Sequence, residues 1–211
     1  MEKLKSSLTN MVGVLTCVAL VTAGLLAMVN HVTEGPKAVK AENTLAAGIK
    51  SVMGTDELTV TANDTIIQQD AKGKDLVYIV HKTADKDNKF LGAAVEATTL
   101  GFGGDLAILV GFDPDGQILG YTVLKHAETP GLGAKATDWF QKGQKGDIIG
   151  KSPKENPLKV TKDGGDIDAI TASTITSRAF LKAINEAYDV YAKGATDGDS
   201  GATKQQKVEE E

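Results

Sequence analysis

For 28 residues between Lys5 and Glu34 the chain carries no Asp, Glu, Lys or Arg. No other feature restricts its possible folds as much. Residues 11–29 are uncharged and mostly apolar, and about 20 such residues cross a bilayer as one helix. The run outlasts the apolar core of a secretory signal, roughly 7–15 residues, and no small-x-small cleavage site follows it closely. A retained anchor is therefore expected. Lys3 and Lys5 precede it and, by the positive-inside tendency, keep the N-terminus in the cytoplasm. The rest of the chain then lies on the outer, periplasmic side of the cytoplasmic (inner) membrane. Cys17 falls within the run; as the single cysteine it can form no internal disulfide, and it reads as a small buried hydrophobe. The expected divisions are a cytoplasmic segment 1–8, a transmembrane anchor 9–32, one extracytoplasmic domain 33–193 and a disordered tail 194–211, which is polar and almost free of hydrophobes.

Beyond the anchor, residues 36–53 read as a helix that starts at Pro36 and stops at Gly54. Strand-like runs follow at 58–61, 75–81 and 90–98, with solvent-facing turns at 71–74 and 82–88. The cluster Gly101-Phe102-Gly103-Gly104 is too rich in glycine for a strand interior and implies a bend or a close backbone approach. Residues 106–112 and 118–124 flank Asp113-Pro114-Asp115-Gly116, a hairpin with a clear turn signal. The first of these runs is apolar almost throughout, as a central strand would be. No regular alternation of strand and crossover helix is visible. The fold class is therefore α+β: one transmembrane helix, then one domain with an antiparallel or mixed sheet and packed helices. Aromatics make up only 5% of the chain, so its core must depend on aliphatics and close backbone packing.

The net charge of -5 and the lack of a basic stripe with interleaved aromatics argue against nucleic acid as a partner. There is no C-x-x-C and no metal-ligand spacing, so no metal site is assigned. Two stretches concentrate polar chemistry. The first, residues 125–133, leaves the second hairpin strand and includes His126, Glu128, Thr129, Gly131, Leu132 and Gly133. Loops on a rigid scaffold favour ligand contacts. His126 is open to a structural, basic or ligating role, and Glu128 to a general-acid role, but nothing completes a catalytic set. Residues 134–142 then form a short helix in which Trp139 and Phe140 are core or pocket aromatics. The second stretch, residues 171–177, holds five hydroxyl side chains, among them Thr171, Ser173, Thr174 and Thr176. Apolar positions at helical spacing follow through Tyr191. Thr176 or Ser177 suits the N-cap. The run is either an over-rich capping segment or a phosphate site at a helix start, where free N–H groups and the dipole favour an anion.

These stretches, together with the anchor and the 101–104 cluster, carry a resemblance that covers residues 1–193. The chain resembles a family of membrane-anchored domains with covalently attached FMN. That family includes the G subunit of the Rnf ion-translocating electron-transport complexes and, more distantly, the C subunit of the sodium-pumping NADH:quinone reductase. Its attachment pattern is an Asp, two or three residues, then Ser/Thr-Gly-Ala-Ser/Thr, with FMN joined through its phosphate to the last hydroxyl. Here the pattern falls on Thr171-Ala172-Ser173-Thr174 behind Asp168. The resemblance implies that Thr174 is the acceptor, with Ser173 the alternative, and that a flavin transferase reads Asp168 and its surroundings during maturation. The sequence departs from the pattern at Ala172, where glycine is usual, and at Ser173, where alanine is usual.

The resemblance further implies that the isoalloxazine lies against residues 126–133 and Trp139. Gly131 and Gly133 would allow close approach, Leu132 would give an apolar contact and Thr129 a hydroxyl. As a whole it implies an electron-carrying subunit of a membrane translocase that couples ferredoxin/NAD electron transfer to Na⁺ or H⁺ movement. Its partners would be the other subunits and the lipid bilayer. The competing expectation is a membrane-anchored, non-redox binding or assembly subunit.

Overall fold

The computed structural model describes residues 8–69, 73 and 75–197. The expected turn at 71–74 and the tail beyond 197 lie outside these residues, apart from Gly73, as does all of segment 1–8 except Leu8. The chain divides into two compact units, Met1–Thr44 and Leu45–Glu211.

Helix α1 (Leu8–Met53) supplies the described part of the first unit. Within it, Asn10–Thr33 is the one helix among the described residues long and apolar enough to cross a membrane. Its side chains are exposed on every side from residue 10 to 32, Cys17 included, so the expected burial of Cys17 does not occur within the chain. Such all-round apolarity suits a membrane span. The Thr22 and Thr33 hydroxyls each donate to the carbonyl one turn back, Val18 and Val29 respectively, both at 2.8 Å. Neither hydroxyl then needs water. The sequence predicts a fresh helix start at Pro36; α1 instead runs through it. Proline removes one backbone N–H, and the Ala- and Lys-rich sequence that follows propagates the helix.

The second unit contains a five-stranded sheet in the order β1-β2-β3-β4-β5: β1 (Thr59–Gln69), β2 (Asp75–Ala84), β3 (Phe90–Leu100), β4 (Asp105–Phe112) and β5 (Ile118–His126). Every neighbour is antiparallel. Of the two arrangements left open by the sequence, the antiparallel one holds. Outside the sheet, the isolated bridge Val160–Ile167 is the one parallel pairing among the described residues. The β4–β5 reversal has the expected cause: Asp113 Oδ1 accepts the N–H groups of Asp115 (3.0 Å) and Gln117 (2.8 Å). β4 lies between two strands and is almost wholly buried, in keeping with its apolar sequence.

Both faces of the sheet are covered by helix. On one, α3 (Thr174–Asp197) buries Phe180, Leu181, Ala183, Ile184, Ala187, Val190 and Tyr191 in the cluster that contains Tyr78, Val95, Ile108 and Phe112. α3 also runs beyond Gly194, where the tail was expected to begin. On the other face, the last turns of α1 place Ile49, Val52 and Met53 against Ala94 and Leu109. Gly111 and Gly120, paired across β4 and β5, make that contact close. A Cβ at either position would stand 2.6 Å or 2.9 Å from the Val52 carbonyl oxygen. With few aromatics, helix backbone meets sheet backbone directly.

Candidate functional site

The chain leaves β5 into the 126–133 loop, which its sequence shapes locally. Thr129-Pro130-Gly131-Leu132 is a turn closed by Leu132 N–H donating to the Thr129 carbonyl at 3.2 Å. Proline presets the second position and Gly131, at φ 76°, supplies the left-handed third. A 3-10 turn (Gly133–Lys135) and the one-turn helix α2 (Ala136–Trp139) follow, a shorter helix than residues 134–142 suggest. They are held to the sheet by Tyr121, whose hydroxyl donates to the Ala136 carbonyl (2.8 Å) and accepts from Phe140 N–H (3.2 Å). Phe140 in turn stacks on Phe180 of α3 at 4.4 Å. The loop thus rests on the core at both ends.

α3 begins earlier than its hydroxyl run suggests. The Ser173 carbonyl accepts the Ser177 N–H at 3.0 Å, so Ser173 occupies the cap position, and Thr176 and Ser177 lie inside the first turn. Those two hydroxyls are turned inward, Ser177 to its own turn and the segment just before it, Thr176 to a residue 48 positions away. Ser177 Oγ accepts from Ile170 N–H at 2.9 Å and donates to the Ser173 carbonyl at 3.0 Å. Thr176 Oγ1 donates to Glu128 Oε2 at 2.8 Å. The first-turn N–H groups of Thr174, Ile175 and Thr176 have no acceptor within the helix. Ala172, just before the cap, sits in the left-handed region at φ 59°.

Glu128 joins three segments. It is 5% exposed, and its Oε1 accepts from Phe102 N–H (2.7 Å) and Gly103 N–H (3.3 Å) while Oε2 takes Thr176. Glycine is required around it. A Cβ at Gly101 would stand 2.0 Å from Oε1, and one at Gly133 would stand 2.2 Å from Oε2. Gly103 lies against the Ala127 carbonyl, which a Cβ would approach to 2.2 Å. The close approach expected at 101–104 is therefore to residues 127–128. A carboxylate with three donors and so little room is a structural clasp.

Together these segments wall a cleft of about 390 Å³, lined by Glu128, Thr129, Leu132, Gly133, Ser173, Thr174 and Thr176 among the sequence-predicted residues. Phe102, Ala172 and Ile175 complete it. Phe102 (70% exposed), Ile175 (55%) and Leu132 (41%) present apolar surface there. The remaining candidates lie outside its walls. His126 is exposed and its Nδ1 accepts the Glu128 N–H at 3.2 Å, a structural role. Gly131 shapes the turn, and Asp168 and Thr171 face solvent. Trp139 is not a cleft wall: its indole N–H donates to the Asp168 carbonyl at 2.8 Å while the ring packs against the core.

One neighbour of the cleft was not foreseen. Lys162, in the 3-10 turn Thr161–Asp163, donates through Nζ to Thr174 Oγ1 at 3.3 Å. Next to it, Arg178 grips Asp163 with two bonds of 2.7 and 2.6 Å, which tie the turn to α3. The hydrogen bond from Arg178, reinforced by its charge, holds the Asp163 carboxyl below the usual carboxylate range. Nothing in the local sequence singles out Lys162. Phe102 did carry a signal, since an aromatic between glycines in a turn has no core of its own to enter. Among the described residues no group of three or more His, Cys, Asp or Glu side chains is arranged to hold a metal.

The FMN-binding domain family matches residues 101–189, which include the whole cleft. The chain is 31% identical over 176 residues to the G subunit of the ion-translocating oxidoreductase complex of Vibrio vulnificus, covering 79% of this chain and 81% of that protein. It is 34% identical over 178 residues to the protein of the same name in Shewanella oneidensis, with 80% and 82% covered. To the G subunit of the proton-translocating ferredoxin:NAD(+) oxidoreductase complex of Clostridium ljungdahlii it is 32% identical over 178 residues, with 83% and 86% covered. The crystal structure of NqrC from Shewanella oneidensis shares the fold: the TM-score is 0.51 at 17% identity, with 75% of this chain and 99% of that chain covered.

Proposed function

The chain belongs to the family of G subunits of ion-translocating oxidoreductase complexes, and on that premise we propose that it carries electrons through an FMN esterified to Thr174. The observation that carries this reading is the setting of Thr174 Oγ1. It lies at the wall of an open, largely apolar cleft, with the Lys162 ammonium 3.3 Å away and the free N–H groups of α3 beside it. A phosphodiester on that oxygen would meet a cation and a helix start, both suited to its negative charge. The ring would extend along Phe102, Leu132 and Ile175, whose exposed apolar surface is otherwise unexplained. A cleft of about 390 Å³ falls within the range of small-molecule sites, roughly 300–1,000 Å³. The residues present therefore fit FMN.

FMN supplies the electron uptake and release; the protein supplies position and electrostatics. A flavin transferase would attach it, reading exposed Asp168 and Thr171 ahead of the acceptor. α1 would anchor the chain, with Lys3 and Lys5 inside and the second unit outside. Ferredoxin, NAD and the moved ion, Na⁺ or H⁺, would be handled by partner subunits. In a host with a matching transferase, Thr174→Ala abolishes the flavin fluorescence that survives denaturation in SDS, and Ser173→Ala retains it. Fluorescence kept in Thr174→Ala, or absent from the unaltered protein, contradicts this reading.

A further inference from the structure

We infer that Glu128 is a positioning residue whose fixed negative charge holds down the reduction potential of the cofactor in the cleft. The inference rests on the flavin reading above and extends it to a residue that does not bear the flavin.

Glu128 is the single ionisable side chain among the residues lining the cleft. Among the described residues it takes part in no ion pair: its three hydrogen bonds come from two backbone N–H groups and one hydroxyl. Those dipoles, with the positive end of α3 at Thr176, make its burial tolerable without cancelling its charge. Backbone encloses it on two sides, since Gly101 and Gly133 leave no space even for a methyl group. Water therefore screens it less than it would a surface charge, and its field reaches into the cleft. The nearby cation, Lys162, is exposed, and solvent weakens its opposing effect. Reducing a flavin adds negative charge, which a buried anion alongside disfavours. Geometry alone does not require the charge. A glutamine could accept from Phe102 and Gly103 through its oxygen and donate to a rotated Thr176 hydroxyl.

Two variants separate charge from architecture in the full-length, flavin-loaded protein. Glu128→Gln removes the charge and keeps the shape, so the flavin midpoint potential, read by spectroelectrochemical titration in detergent, moves positive. Thr176→Val removes a dipole that partly offsets the carboxylate, so the potential moves negative. Loosening of the loops would let water in and shift both variants the same way. An unchanged potential in Glu128→Gln, shifts of the same sign, or no shift in Thr176→Val overturns the inference. Gel fluorescence after SDS denaturation is read on every sample. Its presence with unchanged potentials rejects the role of Glu128 alone, and its absence from the unaltered protein rejects the flavin reading and this inference with it.

Discussion

The Lys162 ammonium lies 3.3 Å from Thr174 Oγ1, so the hydroxyl at the start of α3 has a cation beside it before any phosphate arrives. Lys162→Met removes that cation from an exposed turn. A charge-assisted contact of about 1 kcal/mol corresponds to roughly fivefold slower flavin loading when the transferase is limiting. Stability should change by less than about 0.5 kcal/mol. Flavin-to-protein ratios over time and thermal melts check the two halves separately, and Lys162→Arg should load as the unaltered protein does.

Gly133 and Gly131 stand two residues apart but are glycine for different reasons. At Gly133 a methyl would stand 2.2 Å from Glu128 Oε2 and 2.7 Å from Thr176 Oγ1. Gly133→Ala should therefore break the clasp and destabilise the domain by about 2–3 kcal/mol. At Gly131 nothing lies within 4 Å, and only the left-handed backbone at φ 76° resists a side chain. Gly131→Ala should cost about 1–2 kcal/mol. Denaturant melts of the two variants check the order, and equal losses would mean that the clasp contributes little.

Much of this architecture was legible in the sequence. The apolar N-terminal helix, the Asp113–Gly116 reversal and the helix after residue 173 each depend on neighbours in the chain, and local patterns reported them. β1 was less visible: only 58–61 reads as a strand, yet it runs to Gln69. It is an edge strand with most positions exposed, so Asn63, Asp64, Thr65 and Gln68 break the alternation that identifies a half-buried strand. The helix cap lies earlier than the sequence suggests because both hydroxyls turn inward, Thr176 to Glu128 48 residues away and Ser177 to the Ile170 N–H. Lys162 reaches Thr174 only through folding, and no spacing rule points to it.

Ala172 occupies the left-handed region at φ 59°, where an L-residue is strained. Ala172→Gly should relieve up to ~1 kcal/mol, less the extra entropy that glycine loses on folding. A small rise in melting temperature with flavin loading unchanged or faster is the expected outcome. A lower melting temperature would show that the methyl makes a favourable contact there.

Two acid–base pairs, Arg178–Asp163 and Lys151–Asp166, give a pH prediction of definite sign. Hydrogen bonding from Arg178 lowers Asp163, and hydrogen bonding from Lys151 lowers Asp166. Carboxylates depressed in the folded state stabilise it above their unfolded value, about 3.9, and that stabilisation is lost as pH falls through the lower, folded value. Carboxyl NMR titration should find both midpoints below about 3.9. In Arg178→Gln the Asp163 midpoint should return toward the ordinary range while that of Asp166 stays low. A joint shift of the two would show that they titrate as one group.

The most direct test of the account is mass spectrometry of tryptic peptide 163–178 from protein purified out of its native membrane. That peptide should carry the mass of one FMN less one water, with fragment ions assigning it to Thr174. A bare peptide, or the same mass on Ser173 or any other residue, would contradict the account.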